Sequence, residues 1–403
     1  MRAPPFNPPA APLPSGRLVA PLRVEQIPLG SSRLRDFVEF PWRLYRGDRF
    51  WSPPLRADLL GSKALGMTGM LTLQNDYHRT AMVTHFLAWR GDEVVGRVSA
   101  AINHRFNDWY KDRFGFFGFF DTINDFDVTR ALLDAAREWM AAKGARIMRG
   151  PGEYSNATHE RQGVLIDGFQ SEPCVEQTHN YPYYGELLER YGLHKSKDYH
   201  AYITDVCAPS DPRLPQIAHL AATRRGIDVR PIDPRRLQEE IRLVISIYNE
   251  AWSQNWGFLP ITEGEADALA ATLKPILDPG LTQFACVNGE PAAVFGAFPD
   301  PNWALRPRWR WYGDSDAIRT ARLLRMRRHI PRMRLIFFGI RPPYRRLGID
   351  ALLYHTVKQY AQSRNIRWCD MSLLLEDNHM IIRACEFMGG HRYKTWRIYD
   401  MPV

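Results

Sequence analysis

Cysteine is scarce in this chain: five in 403 residues (Cys174, Cys207, Cys286, Cys369 and Cys385), all far apart. No CxxC pair or Cys/His ligand spacing occurs. That excludes a disulfide framework and a zinc-finger-type site and suits a reducing cytoplasm. Long apolar runs are missing as well. None approaches the roughly 18 to 20 residues that span a bilayer. The proline-rich start, MRAPPFNPPAAPLPSGRL, lacks the continuous apolar stretch of a signal peptide, and residues 1–21 read as a flexible tail. There is no Walker loop, no G-x-S-x-G elbow and no GxGxxG, which disfavours NTPases, α/β-hydrolases and dinucleotide enzymes. His159, His179 and His379 have no partner at ligand spacing, so no metal site is expected.

What is present points to a well-buried globular protein. A chain this long suits two domains rather than one core, and 45% hydrophobic content is enough to fill both. The net charge of +9 suggests an anionic partner: a nucleic acid, a lipid headgroup surface or a phosphate-bearing cofactor. The basic residues gather moderately in Arg306–Arg334 and at the Arg341–Arg346 turn. A nucleic-acid binder using the first cluster is one reading; it predicts salt-dependent binding.

The pattern reads as one α/β unit used twice. In the second copy a strand at Ile227–Val229 precedes helices at Arg235–Trp252 and Glu263–Leu277. Strands at Thr282–Val287 and Ala292–Phe298 then meet at the turn Asn288-Gly289. A basic insertion (Pro301–Met333), a strand at Leu335–Ile340, a helix to Ser363, a strand at Ile366–Leu373, a helix at Asp377–Met388 and a strand at His391–Tyr399 follow. The first copy has a strand at Leu22–Ile27, a helix at Ser32–Leu44, a hairpin over His85–Ala101 and a strand at Gly115–Phe120. A helix at Val128–Lys143, with Asp125 and Asp127 as N-cap candidates, leads to a strand at Arg146–Met148. Gly192-Leu193-His194-Lys195 and Gly389-Gly390-His391-Arg392 echo each other, each leaving a helix for a closing strand. The expected domains are 22–205 and 206–403.

The segment Leu335–Leu353, LIFFGIRPPYRRLGIDALL, carries the chemistry. A strand runs through Pro342-Pro343 into a basic, glycine-containing turn, and a helix opens at about Ile349. Such a turn leaves backbone N–H groups unpaired at a helix N-terminus, where they can hold a pyrophosphate. Arg345 and Arg346 add positive charge, whereas Asp350 places a carboxylate nearby. The equivalent stretch of the first copy, Asp121-Thr122-Ile123-Asn124-Asp125, is acidic and would repel a pyrophosphate. One cofactor per chain is expected.

This loop resembles the acyl-CoA-binding loop of the GNAT acyltransferase superfamily, [QR]-x-x-G-x-[GA], with Arg345 and Gly348 in the first two fixed places and Asp350 in the third. Asn378, before a helix that ends at Gly389-Gly390, also matches the family. The chain is further similar to bacterial tandem GNAT-like proteins. The similarity lies in Tyr248-Asn249-Glu250-Ala251-Trp252, Asn255-Trp256-Gly257-Phe258, Gly118-Phe119-Phe120, Arg149-Gly150-Pro151-Gly152, Tyr154-Ser155-Asn156 and Asn180-Tyr181-Pro182-Tyr183-Tyr184. That group includes enzymes thought to N-acylate long-chain bases in bacterial sphingolipid synthesis. The resemblance implies tandem GNAT-like domains of mixed α/β fold, the first diverged and the second catalytic. It further implies acyl-CoA as cofactor and an amine acceptor, preferably amphiphilic. A non-catalytic acyl-CoA-binding protein and an acetyltransferase of a small polar amine are the alternatives.

On that reading Phe338, Gly339, Ile340, Arg345, Arg346, Leu347, Gly348, Ile349, Asp350 and Asn378 contact the cofactor, with Gly339 letting a substrate backbone or acyl chain approach closely. Trp252, Asn255, Trp256, Phe258, Asn156, Asn180 and Tyr181 wall the acceptor pocket. The family commonly places a Tyr acid four residues before the helix-ending glycine, and Cys385 stands there; Tyr393 and Tyr399 are substitutes. Glu250, expected to be desolvated, Glu376 and Asp370 are the candidate bases. A basic surface of this kind also suits an anionic membrane.

Overall fold

The computed structural model describes residues 20–154, 161–306 and 315–403. Among the described residues thirteen strands form one sheet: β1 (Leu22–Ile27), β2 (Ala81–Arg90), β3 (Glu93–Asn103), β4 (Phe114–Thr122), β5 (Ile147–Gly152), β6 (Val164–Asp167), β7 (His194–Asp205), β8 (Ile227–Pro231), β9 (Thr282–Val287), β10 (Glu290–Pro299), β11 (Arg332–Ile340), β12 (Trp368–Leu375) and β13 (His391–Pro402). Their order across the sheet is β1-β2-β3-β4-β5-β13-β7-β12-β11-β10-β9-β8, with β6 beside β13. The mixed α/β architecture is the one expected.

Alternation along the strands decides the layers, because successive side chains point to opposite faces. Phe284, Val294 and Phe337 face the helices Leu237–Trp252 and Glu263–Leu273. Their neighbours Ala285, Ala293 and Phe295 face the helices Arg213–Arg225 and Ile349–Ser363. In the first half Leu87, Ala101 and Phe116 meet the helix Leu34–Leu44, whereas Phe86, Ala100 and Phe117 meet Phe126–Ala142. The last of these helices starts where Asp125 accepts hydrogen bonds from the amides of Asp127 and Val128. The expected cap is there. The helices His104–Tyr110 and Arg213–Arg225 and strand β6 were not anticipated. Pro215 in the first turn of Arg213–Arg225 hid a helix that proline tolerates at that end.

The two halves trade their closing strands. Strand β13, at the end of the second half, pairs with β5 of the first, and β7 of the first pairs with β12 of the second. The two exchanged strands then pair with each other along most of their length. Each half of the sheet is thus completed by the other.

A second tie is the segment Trp252–Thr262. Asn249 accepts from the Ile261 amide at 3.0 Å and donates to its carbonyl at 3.1 Å. From the first half, Tyr110 donates to the Phe258 carbonyl (2.9 Å), and Arg105 pairs with Glu265 (2.9 Å). Asn249→Ala is expected to cost about 1–3 kcal/mol, because both backbone groups of Ile261 lose their partner. Urea unfolding measures it, and an unchanged midpoint would refute it.

Candidate active site: an amide-lined turn beside a buried carboxylate

Strands β11 and β12 run parallel but pair only from Arg332↔Trp368 to Leu335↔Met371. Beyond that point β11 stays with β10 as far as Ile340, and β12 stays with β7. The two strands part, and the turn after β11 sits at the mouth of the gap. It consists of a short 3-10 stretch, Pro342–Tyr344, then Arg345, Arg346 at φ 65°, Leu347 and Gly348 at φ 76°, before the helix Ile349–Ser363. Among the described residues the amides from Arg346 to Ala351 have no backbone acceptor; the first helical bond is Leu352 N–H to the Gly348 carbonyl. Free backbone N–H groups at a helix N-terminus are the kind that can hold an anion.

The Arg345 guanidinium folds back to the carbonyls of Ala251 (3.1 Å) and Ile340 (3.4 Å), so it braces the turn. Arg346 is exposed and Asp350 lies exposed in the first helical turn. Phe338, Ile340 and Leu347 pack against the core beneath the helix, and Ile349 is fully buried there. The expected role of Gly339 is corrected. A Cβ there would stand 3.0 Å from the Ala251 Cβ, so the missing side chain admits the helix Leu237–Trp252, not an acyl chain. Asn378 caps the helix His379–Phe387 by accepting from the Ile381 amide.

One pair before β11 and β12 separate, Arg334 stands directly across from Asp370. Asp370 is completely buried. Its carboxylate accepts from Ser372 Oγ (2.5 Å), Tyr393 OH (2.6 Å) and Gln177 Nε2 (3.0 Å), and Arg334 Nε lies 3.7 Å away. Gln177 also donates to Ser372 Oγ at 2.8 Å. The lid over this centre comes from the first half. Arg332 donates to the carbonyls of Glu172 and Pro173, Arg334 to that of Val175, and Lys394 to those of Gly168 and Ser171. Tyr393 therefore spends its proton on Asp370, and burial together with that carboxylate pushes its hydroxyl far above the usual phenol range. Sequence reasoning named Asp370 and Tyr393 separately and missed Gln177, Ser372 and Arg334, for which no local motif exists.

The remaining candidates scatter. Glu250 is not desolvated: its side chain is 48% exposed and pairs with Arg341 at 3.3 Å, because it projects from the outer face of its helix. Glu376 is tied to Lys195 (2.6 Å) and to the Asp198 amide (3.1 Å). Cys385 is buried in the core, and burial pushes its thiol up to about 12. Tyr399 is buried against Glu189. Trp252 donates from Nε1 to the Phe338 carbonyl (2.7 Å), and Asn255 shapes the turn that follows. Phe258 is core; Trp256 packs beside Tyr199 and under Arg149, whose guanidinium lies 4.7 Å from its ring. Asn180 bonds both backbone groups of Leu165 on β6, and Tyr181 donates to the Leu44 carbonyl. Asn156 lies outside the described residues. The described residues hold no group of three or more metal-ligating side chains.

The matching turn of the first half is built differently. Asp121 does not display its charge at the surface. It is buried and held by Arg97 (2.7 Å), Tyr45 (2.8 Å) and Tyr184 (3.1 Å). What occupies the helix N-terminus there is the carboxylate of Asp125, which already takes the amides a phosphate would need.

A strand that leaves its parallel neighbour, an amide-lined turn and a helix entered at that turn define a GNAT-type fold, present here in tandem. A solved tandem GNAT protein from the clavulanic acid biosynthesis pathway superimposes over 95% of this chain and 98% of its own, with a TM-score of 0.53 at 12% identity. No family model matches. Over nearly full length the chain is 29% identical to Protein YghO of Escherichia coli (93% of this chain, 94% of that one). It is 30% identical to the bacterial ceramide synthase of Caulobacter vibrioides (92% and 95%). The chain belongs to the family of this bacterial ceramide synthase, and its fold is that of a tandem GNAT protein.

Proposed function

We propose that this protein is an acyl-CoA-dependent N-acyltransferase whose acceptor is an amphiphilic primary amine, such as a sphingoid long-chain base. The observation that carries the reading is the run of unpaired amides from Arg346 to Ala351 at the mouth of the β11/β12 gap. A pyrophosphate on those amides would direct the rest of an extended thioester into the gap, towards Ser372 and Asp370. Acyl-CoA supplies the activated acyl group. The chain supplies position and a dry interior around Asp370. The name of the Caulobacter relative supports the choice of a lipidic amine.

Contact with an anionic membrane surface from the cytoplasmic side fits the same acceptor. The helix Asp316–Met326 exposes Ile318 and Leu324 and is followed by Arg327 and Arg328. No described helix is long and apolar enough to cross a membrane. The test is amine-dependent release of free thiol from long-chain acyl-CoA. Release that rises with dodecylamine supports the reading. Tight acyl-CoA binding without such release would make the protein a binder instead.

A further inference from the structure

A cleft of about 480 Å³ lies on the second half, where the end of the helix Ile349–Ser363 meets the basic stretch Arg327–His329. Sites for small molecules run from roughly 300 to 1,000 Å³. Arg327, Arg328 and Arg364 line the cleft, with Asp278, Tyr360 and Leu277 among its other walls. It is separate from the amide-lined turn. That turn opens a helix of 15 residues, and Tyr360 and Arg364 stand at the other end, about 22 Å along it.

Three guanidiniums meet one carboxylate here, and that carboxylate is engaged. Asp278 accepts from the Tyr360 hydroxyl at 2.6 Å and from the Gly280 amide at 3.3 Å, and Arg364 Nη2 lies 3.4 Å from it. Arg364 Nε is left buried without a hydrogen-bond partner. Arg327 reaches the Pro275 carbonyl at 3.2 Å, and neither Arg327 nor Arg328 has an acidic partner among the described residues. The carbonyl end of the helix adds roughly half a negative charge, too little to offset the remaining cations. A concave surface of this kind calls for an anion with several acceptor oxygens. A phosphate ester matches the guanidinium fork, and Leu277 with the Tyr360 ring gives its organic part an apolar wall.

The neighbouring helix indicates which phosphate. Asp316–Met326 leads directly into Arg327 and Arg328. Its inner side carries the buried Arg319 and Leu323, whereas Ala317, Ile318, Ala321, Leu324 and Arg325 are exposed. Those five recur at helical spacing, an apolar strip with a cation beside it. Such a strip lies on a bilayer with its cations at headgroup depth. We propose that the cleft is a phosphate site whose occupant is the headgroup of an anionic membrane lipid, held while the exposed side of the helix rests on the bilayer. For the source of the phosphate the inference rests on the membrane contact proposed above; the cleft itself stands without it.

The experiment sediments full-length protein with vesicles of phosphatidylcholine, with or without phosphatidylglycerol. Wild type is expected on the phosphatidylglycerol vesicles only. Arg328→Gln and Arg364→Gln should each weaken that binding about 10-fold or more, the loss of a hydrogen bond to a charged group. Leu324→Ser should weaken it as well. Arg325→Gln, on the exposed side of the helix but outside the cleft, should weaken it less than about 5-fold, the share of one surface cation. Equal losses from Arg325→Gln and Arg328→Gln overturn the cleft, because diffuse charge then accounts for the binding. Calorimetry with glycerol 3-phosphate separates the sources: soluble binding by a wild type that ignores both vesicles overturns the lipid as occupant. Arg328 is exposed, so its variant should unfold at the wild-type temperature and bind CoA as wild type does. Absence of thiol release in wild type counts against the acyltransferase reading alone. Absence of wild type from phosphatidylglycerol vesicles counts against this site and leaves that reading in place.

Discussion

Replacing Asp370 with alanine is expected to destabilise the protein by about 3–5 kcal/mol, the cost of removing one partner from a buried ion pair. The carboxylate is fully buried and serves Ser372, Tyr393 and Gln177 while facing Arg334. Without it the Arg334 guanidinium stays inside the sheet with backbone carbonyls and Glu176, 3.7 Å away, as its remaining partners. Three side-chain hydrogen bonds to the carboxylate are lost at the same time, those of Ser372 and Gln177 in the buried interior. Asp370→Asn keeps the shape and one acceptor oxygen, so it should cost less. Chemical denaturation of both variants measures the difference. An alanine variant within about 1 kcal/mol of wild type would mean that the centre is wetter than its burial implies.

Gly348→Val should weaken CoA binding by about 10- to 100-fold, a loss of roughly 1.4–2.8 kcal/mol. The position holds φ at 76°, which a β-branched residue reaches only with strain, and a Cβ there would stand 3.1 Å from Ile217 Cγ2. The helix Arg213–Arg225 cannot yield easily, since Leu214, Ala218 and Ala221 anchor it in the core. The turn must therefore shift, and the unbonded amides from Arg346 to Ala351 move with it. Asp350→Ala is the counter-test. It removes a carboxylate from the first helical turn and should leave affinity equal or tighter. Titration calorimetry with CoA reads both, and wild-type affinity in Gly348→Val would remove the turn from the site.

Short-range features were the legible part of the site. The strand, the basic turn, Gly348 and the helix after it lie within one stretch of chain, and backbone preference alone makes such a stretch an amide-lined turn. The Glu250 expectation failed for a related reason. Helical position is legible, but which face turns outward depends on the neighbour, and Arg341 meets Glu250 at the surface. Gly339 failed likewise, because a glycine in a strand announces a close approach without saying what approaches.

By itself the sequence determined the two α/β halves, their strands and main helices, and the amide-lined turn, since these follow from alternation, capping and turn chemistry among near neighbours. Only the tertiary structure decided that β7 and β13 change places, because both read as closing strands and either half of the sheet satisfies their backbone equally. The same holds for the interior. Gln177 reaches Asp370 across 193 positions of chain, and His179 reaches Asp48 across 131. Such pairs carry no local signature; they exist because burial leaves a polar group no partner but the one folding brings to it.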